Sequence, residues 1–222
     1  MTLPKPTINM ERPDRERCLT TAEIQRLGEV LRQAETEGLP WEIRAEGSAL
    51  RHVNKTRQTQ VYPLHVAGAI RLLLLTGCRL REIFPARWQD IDLERGFLRL
   101  ADSKTRRRPV LLNAAAASVL AALPRIGQFV IAGSDPVKPR HDLKKPWSHI
   151  RHAAGLDDVR LHDLRHTHAS VGAGAGLGLP IVGSLLGHRS THTTQRYAHL
   201  ADDPLRRATE RIGDELGRAI GG

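Results

Sequence analysis

His162-Asp163-Leu164-Arg165 puts a histidine and an arginine one helical turn apart, so that both side chains share a face of a helix predicted over about 162–174. Earlier in the chain stands Thr76-Gly77-Cys78-Arg79, an arginine placed just past a glycine suited to ending a helix. Later stands Leu186-Gly187-His188, followed nine residues on by Tyr197. The three islands together supply two arginines, two histidines and a hydroxyl. Arginine forks match the non-bridging oxygens of a phosphate. A phenol facing such a clamp can attack phosphorus and hold the phosphoryl group covalently. The inventory points to a phosphodiester.

Outward from the islands, the rest of the chain reads as mainly helical. Residues 1–18 are Pro-rich and charged, a linker or arm. Thr20 and Glu23 have capping-box spacing, with Leu19 and Ile24 as a hydrophobic staple, and Ile24, Leu27, Leu31 and Ala34 form the apolar stripe of the helix that follows. Residues 36–60 are polar with little periodicity, which predicts a long loop. A buried helix is predicted from Pro63 to Leu75, ended by Gly77, and a short one from Leu80 to Phe84, stopped by Pro85. Asp90–Leu93, Phe97–Leu100 and Pro109–Leu112 are short runs rich in branched and aromatic residues, predicting a three-stranded antiparallel sheet. Helices resume at Ala114–Leu123. A loop through Pro136, Pro139 and Lys144-Lys145-Pro146 leads to another at Trp147–Ala154. Further helices are predicted around 162–174, 180–186 and 191–199, and Asp203-Pro204 opens a last one over 204–222. The fold class is mainly α with one small three-stranded antiparallel sheet.

Composition narrows the partners. A formal charge of +10 over 222 residues suits a polyanion. Three Phe, three Trp and two Tyr are too few for a single-strand binder built on stacking platforms. Two cysteines form no disulfide framework. The longest apolar run, Ala67–Leu75, is interrupted by Gly68 and Arg71 and is too short to cross a bilayer. No signal peptide is recognisable, and a cytoplasmic, nucleoid-associated protein is expected.

From about residue 15 to the C-terminus, the islands resemble those of the tyrosine recombinase (phage-integrase-like) family. Several independent motifs agree in identity, order and spacing, whereas a lone HxxR pair would recur by chance on many helices. The resemblance implies a catalytic-domain fold at residues 19–203 and a site-specific recombinase or integrase. Such an enzyme cuts and rejoins double-stranded DNA through a 3′-phosphotyrosine, as a tetramer and without cofactor, metal or ATP. Tyr197 falls at the nucleophile position. Arg79 and Arg165 would clamp the phosphate, and His162 and His188 would bond its oxygens and assist proton transfer. Lys104, in the turn between the second and third strands, falls where the family places its general acid. Glu82 and Asp163 match acidic positions that support their neighbours. Arg106, Arg107, Arg108, Lys144 and Lys145 read as contacts to the DNA backbone, and Gly187 as a site of close helix packing or backbone approach.

Other readings share part of this inventory. A type IB topoisomerase-like enzyme would use the same Arg, Lys, His and Tyr set to relax supercoils. A DNA-binding module of the same fold would lack the chemistry. His162 and His166 have an i, i+4 spacing suited to a metal, with Asp163 as a third ligand, although the HExxH pattern is missing. The family also carries a helical domain ahead of the catalytic one, whereas only some eighteen residues precede the first helix here, so half of a DNA clamp is expected. The segment 204–222 is expected to dock on a neighbouring protomer or on its own domain.

Overall fold

The structure, a computed structural model, describes residues 17–40, 59–100, 109–135, 137–188 and 192–198, together with residues 209, 212, 213 and 216. The expected arm at 1–16 therefore lies outside the described residues. So do Lys104, Arg106, Arg107 and Arg108, and most of the last helix.

The first helix, α1 (Thr21–Thr36), begins on the predicted capping box. The Glu23 N–H donates to Thr20 Oγ1, and the Thr20 N–H donates back to Glu23 Oε2 at 2.8 Å. Beyond α1 the expected loop is partly zipped. Its ends, β1 (Leu39–Pro40) and β2 (Thr59–Gln60), pair antiparallel, so a second sheet accompanies the three-stranded one predicted. Two-residue strands carry no readable period, which is why the sequence shows no sign of them. Residues 41–58 between them lie outside the described residues.

α2 (Leu64–Thr76) is buried on nearly every side and packs against α1 and against two helices defined below, α4 and α6. Gly68 allows one of these approaches: a Cβ there would lie 2.7 Å from Leu123 Cδ2. Gly77 ends α2 in the left-handed conformation at φ +62°, as predicted. The short α3 (Leu80–Ile83) follows at once. A 3-10 turn at Trp88–Asp90 then leads to the three-stranded antiparallel sheet, β3 (Ile91–Asp92), β4 (Phe97–Arg99) and β5 (Pro109–Leu111), in that order.

α4 (Ala114–Ala122) is capped by Asn113 Oδ1, which accepts the Ala116 N–H. α5 (Lys144–Ala153) starts three residues earlier than predicted, because Pro146 falls within the first turn, where it breaks no intrahelical bond. Lys144 and Lys145 thus stand exposed on a helix rather than in a loop. α6 (Asp163–Gly174), α7 (Leu179–Leu186) and α8 (His192–Gln195) carry the later islands. The helix predicted to 199 stops at Gln195 among the described residues, and Tyr197 follows in a tight turn closed by its N–H donating to Thr194 O.

A main core runs through α1, α2, α4 and α5 and reaches Leu164 at the start of α6. A smaller one joins Ala169, Ala173, Val182 and Leu186 with the ring of Tyr197. No helix among the described residues is long and apolar enough to cross a membrane.

Candidate active site

Arg165 binds the islands together. Its side chain is buried on α6, and its guanidinium donates to the Gly77 carbonyl at the end of α2 and to the Leu186 carbonyl, 2.8 Å away, at the end of α7. Helix C-termini present partly negative carbonyls that lack intrahelical partners, so a cation there satisfies bonds and opposes two helix dipoles at once. Stretches separated by 88 and 21 residues thereby meet at one side chain. Gly77 is required twice, for its positive φ and because a Cβ would lie 2.7 Å from Leu186 Cδ2 and 2.8 Å from His168 Cδ2.

Arg79 begins α3 and is half-buried. Glu82 holds it from two directions, accepting the Arg79 backbone N–H at 2.7 Å and its guanidinium at 3.0 Å. Asp163 is fully buried and accepts the Arg160 backbone N–H and guanidinium at 2.7 and 2.8 Å, which pins the start of α6. Asp163 therefore supports the helix that carries Arg165.

His162 opens to solvent at the head of α6. Desolvation, and then the nearby Arg165, hold its imidazole below the usual histidine range; Arg79 and Arg160 act in the same direction and Asp163 opposes them. One turn on, the His166 ring meets His162 edge to face with centroids 4.8 Å apart. Nδ1 of His166 lies 2.6 Å from the Tyr197 hydroxyl, within hydrogen-bonding distance. Both residues are buried, Tyr197 to 2 % exposure. Burial, with His162 second, pushes the His166 pKa down to about 4, so the ring is neutral at neutral pH. His168 faces elsewhere, its Nδ1 bonded to the Leu74 carbonyl at 3.0 Å. Among the described residues no three His, Cys, Asp or Glu side chains are grouped to hold a metal ion.

His188 is fixed by α8, with Nδ1 2.9 Å from Thr194 Oγ1. Gly187 is the left-handed cap of α7 at φ +67°. Close packing falls to Gly183, where a Cβ would stand 2.7 Å from Thr194 Oγ1.

Arg79 and Arg165 both bear on His162, His166 links His162 to Tyr197, and Arg165 holds the Leu186 carbonyl two residues before His188, with Glu82 behind Arg79 and Asp163 behind the head of α6. Lys144 and Lys145 are exposed on α5, outside this cluster. Sequence reading missed His166 as the neighbour of the tyrosine, and it missed Thr194 and Gly183. The 162/166 spacing was visible, but a bond spanning 31 positions leaves no periodic trace.

A family model described as the phage integrase family matches residues 45–203. The chain belongs to the phage integrase family. The integrase of Salmonella phage P22 is 32% identical over 171 residues, covering 69% of this chain and 44% of that one. The chain spans about half the length of the curated relatives it matches, from 44% to 52% for the first three. In fold, this family member resembles XerH site-specific recombinase bound to palindromic difH substrate, with TM-score 0.61 and 20% identity over 87% of this chain and 52% of that one. It also resembles the catalytic domain of bacteriophage HP1 integrase, with TM-score 0.57 and 18% identity over 87% of this chain and 93% of that one.

Proposed function

We propose that this phage integrase family chain is a catalytic domain that cuts and rejoins double-stranded DNA through a 3′-phosphotyrosine. The observation that carries this reading is that Arg79 and Arg165 both bear on His162, which His166 links to the Tyr197 hydroxyl. Arg79 and Arg165 clamp the scissile phosphate and neutralise the charge that grows on the pentacoordinate phosphorus. His162 and His188 bond its oxygens. The Tyr197 oxygen attacks phosphorus, its proton passes to water, and the bond to the 5′ oxygen breaks. Lys104 protonates that departing oxygen, whose basicity makes an unassisted departure slow. A 5′-hydroxyl from a second strand then attacks the phosphotyrosine and restores the phenol. The phosphodiester energy is retained in the covalent link, so neither ATP nor a metal is needed.

DNA is the partner that the +10 charge suits. We assign Arg106, Arg107, Arg108, Lys144 and Lys145 to its backbone. We also place the recombining form as a tetramer in which the segment 204–222 docks on a neighbour. Residues 209, 212, 213 and 216 are helical, and Ile212 and Leu216, one turn apart, are each 59% exposed, leaving that apolar stripe uncovered in the single chain. The test of the reading is a nicked suicide duplex, from which the cleaved end escapes and traps the intermediate. Wild-type protein gives a covalent band on a denaturing gel and Tyr197→Phe gives none; equal bands would remove Tyr197 from the role.

A further inference from the structure

We propose that His166 is a positioning residue for the nucleophile: through Nδ1 its neutral imidazole accepts the hydrogen bond of the Tyr197 hydroxyl and fixes the direction of that O–H. The inference rests on the function proposed above and adds a residue to the site.

Three observations support it. The separation of 2.6 Å is short for a phenol and an imidazole nitrogen, and both groups are buried, so water does not compete for the bond. The Tyr197 ring is already held by Ala169, Ala173, Val182 and Leu186, which leaves the hydroxyl rotor as the freedom to be settled. Finally, burial first, and then the ionisable groups around it, keep His166 unprotonated. His162 and Asp163 on its own helix, Arg160 before that helix and Arg196 beside Tyr197 act on it, and all but Asp163 disfavour an imidazolium. In its Nε2–H tautomer such a neutral ring accepts at Nδ1 throughout the neutral pH range. With the phenol proton directed at His166, the O–H has one fixed direction in the site. Fixing such a near-attack geometry is where a residue without its own bond to substrate accelerates a reaction.

The closing experiment compares His166→Asn and His166→Phe with wild type. The asparagine side-chain oxygen sits close to where Nδ1 was and accepts a hydrogen bond without titrating. Phenylalanine keeps the ring and removes the acceptor. Single-turnover adduct formation is read on a suicide duplex with a 5′-bridging sulfur, whose departure needs no acid. His166→Asn is expected within about threefold of wild type and His166→Phe down about tenfold or more, the range of one mispositioned group. DNA binding is expected to stay alike, while the melting midpoint of His166→Phe falls because the buried Tyr197 hydroxyl loses its His166 acceptor, so rates are read well below that midpoint. Histidine nitrogen NMR of the wild-type protein supplies a readout independent of both variants: Nδ1 of His166 is unprotonated and shifts on Tyr197→Phe. A wild-type rate in His166→Phe, a His166→Asn rate as low as that of His166→Phe, or an Nδ1 carrying the proton would each overturn the inference. Absence of any adduct in wild type, with the NMR result as expected, would instead remove the proposed function.

Discussion

Arg165 is a side chain that lysine cannot replace, because its fork reaches two carbonyls on two helices and an ammonium reaches one. We expect Arg165→Lys to leave a buried carbonyl unpartnered and to lower stability by about 1–3 kcal/mol, measured by urea denaturation, while abolishing adduct formation. An unchanged midpoint would mean that the guanidinium is not holding α2 and α7 together. Lys104 is tested differently. Lys104→Ala is expected to fail on ordinary DNA, where a positioned acid contributes roughly 10²–10⁴-fold, and to be largely rescued by the 5′-bridging sulfur duplex. Equal impairment on both substrates would move the acid elsewhere. At this scale the site was legible wherever residue type and local spacing carry the chemistry, as for His162 with Arg165 and for Glu82 with Arg79. It was not legible for the Tyr197–His166 bond, which exists because α6 and the turn after α8 pack against each other.

The same distinction holds for whole elements. α1 and α2 announced themselves through the Thr20/Glu23 box and the Gly77 stop. The β1–β2 ladder, too short for a period, did not, and α8 is shorter than its pattern because Tyr197 leaves the helix to enter the small core. Besides Gly68, two glycines set contacts between elements at the site. Gly77→Ala must adopt a positive φ and push against Leu186 and His168, so we expect a loss on the order of 3 kcal/mol. Gly183→Ala would press on Thr194 and with it on the His188 bond. We expect it to reduce cleavage more than DNA binding, read by single-turnover kinetics beside a binding isotherm. A Gly183→Ala protein with wild-type cleavage would show that α8 shifts without cost.

Across the described residues, desolvation lowers the pKa of several histidines. His65, His162, His166 and His168 are all held below the ordinary value, His166 at about 4. For a group whose folded pKa is depressed, the unfolded chain binds the extra proton as pH falls. Stability from His166 is therefore full above pH ~6.5 and is lost as the pH drops towards about 4. A shift of that size corresponds to about 3 kcal/mol. We expect urea midpoints to fall between those limits, and His166→Asn to flatten the fall; a pH-independent midpoint would contradict the buried neutral ring. DNA binding should weaken steeply with salt, each neutralised phosphate contributing ~0.9 to the log–log slope.

The most direct measurement is the chemical identity of the covalent link. Wild-type protein is trapped on a nicked suicide duplex in excess chelator, digested with protease, and the peptide carrying nucleotide is sequenced by mass spectrometry. The account predicts one modified peptide, with a 3′-phosphate of the cleaved strand joined to Tyr197. A link at Tyr62 or at any serine or histidine, or an adduct that forms only after metal is restored, would contradict it.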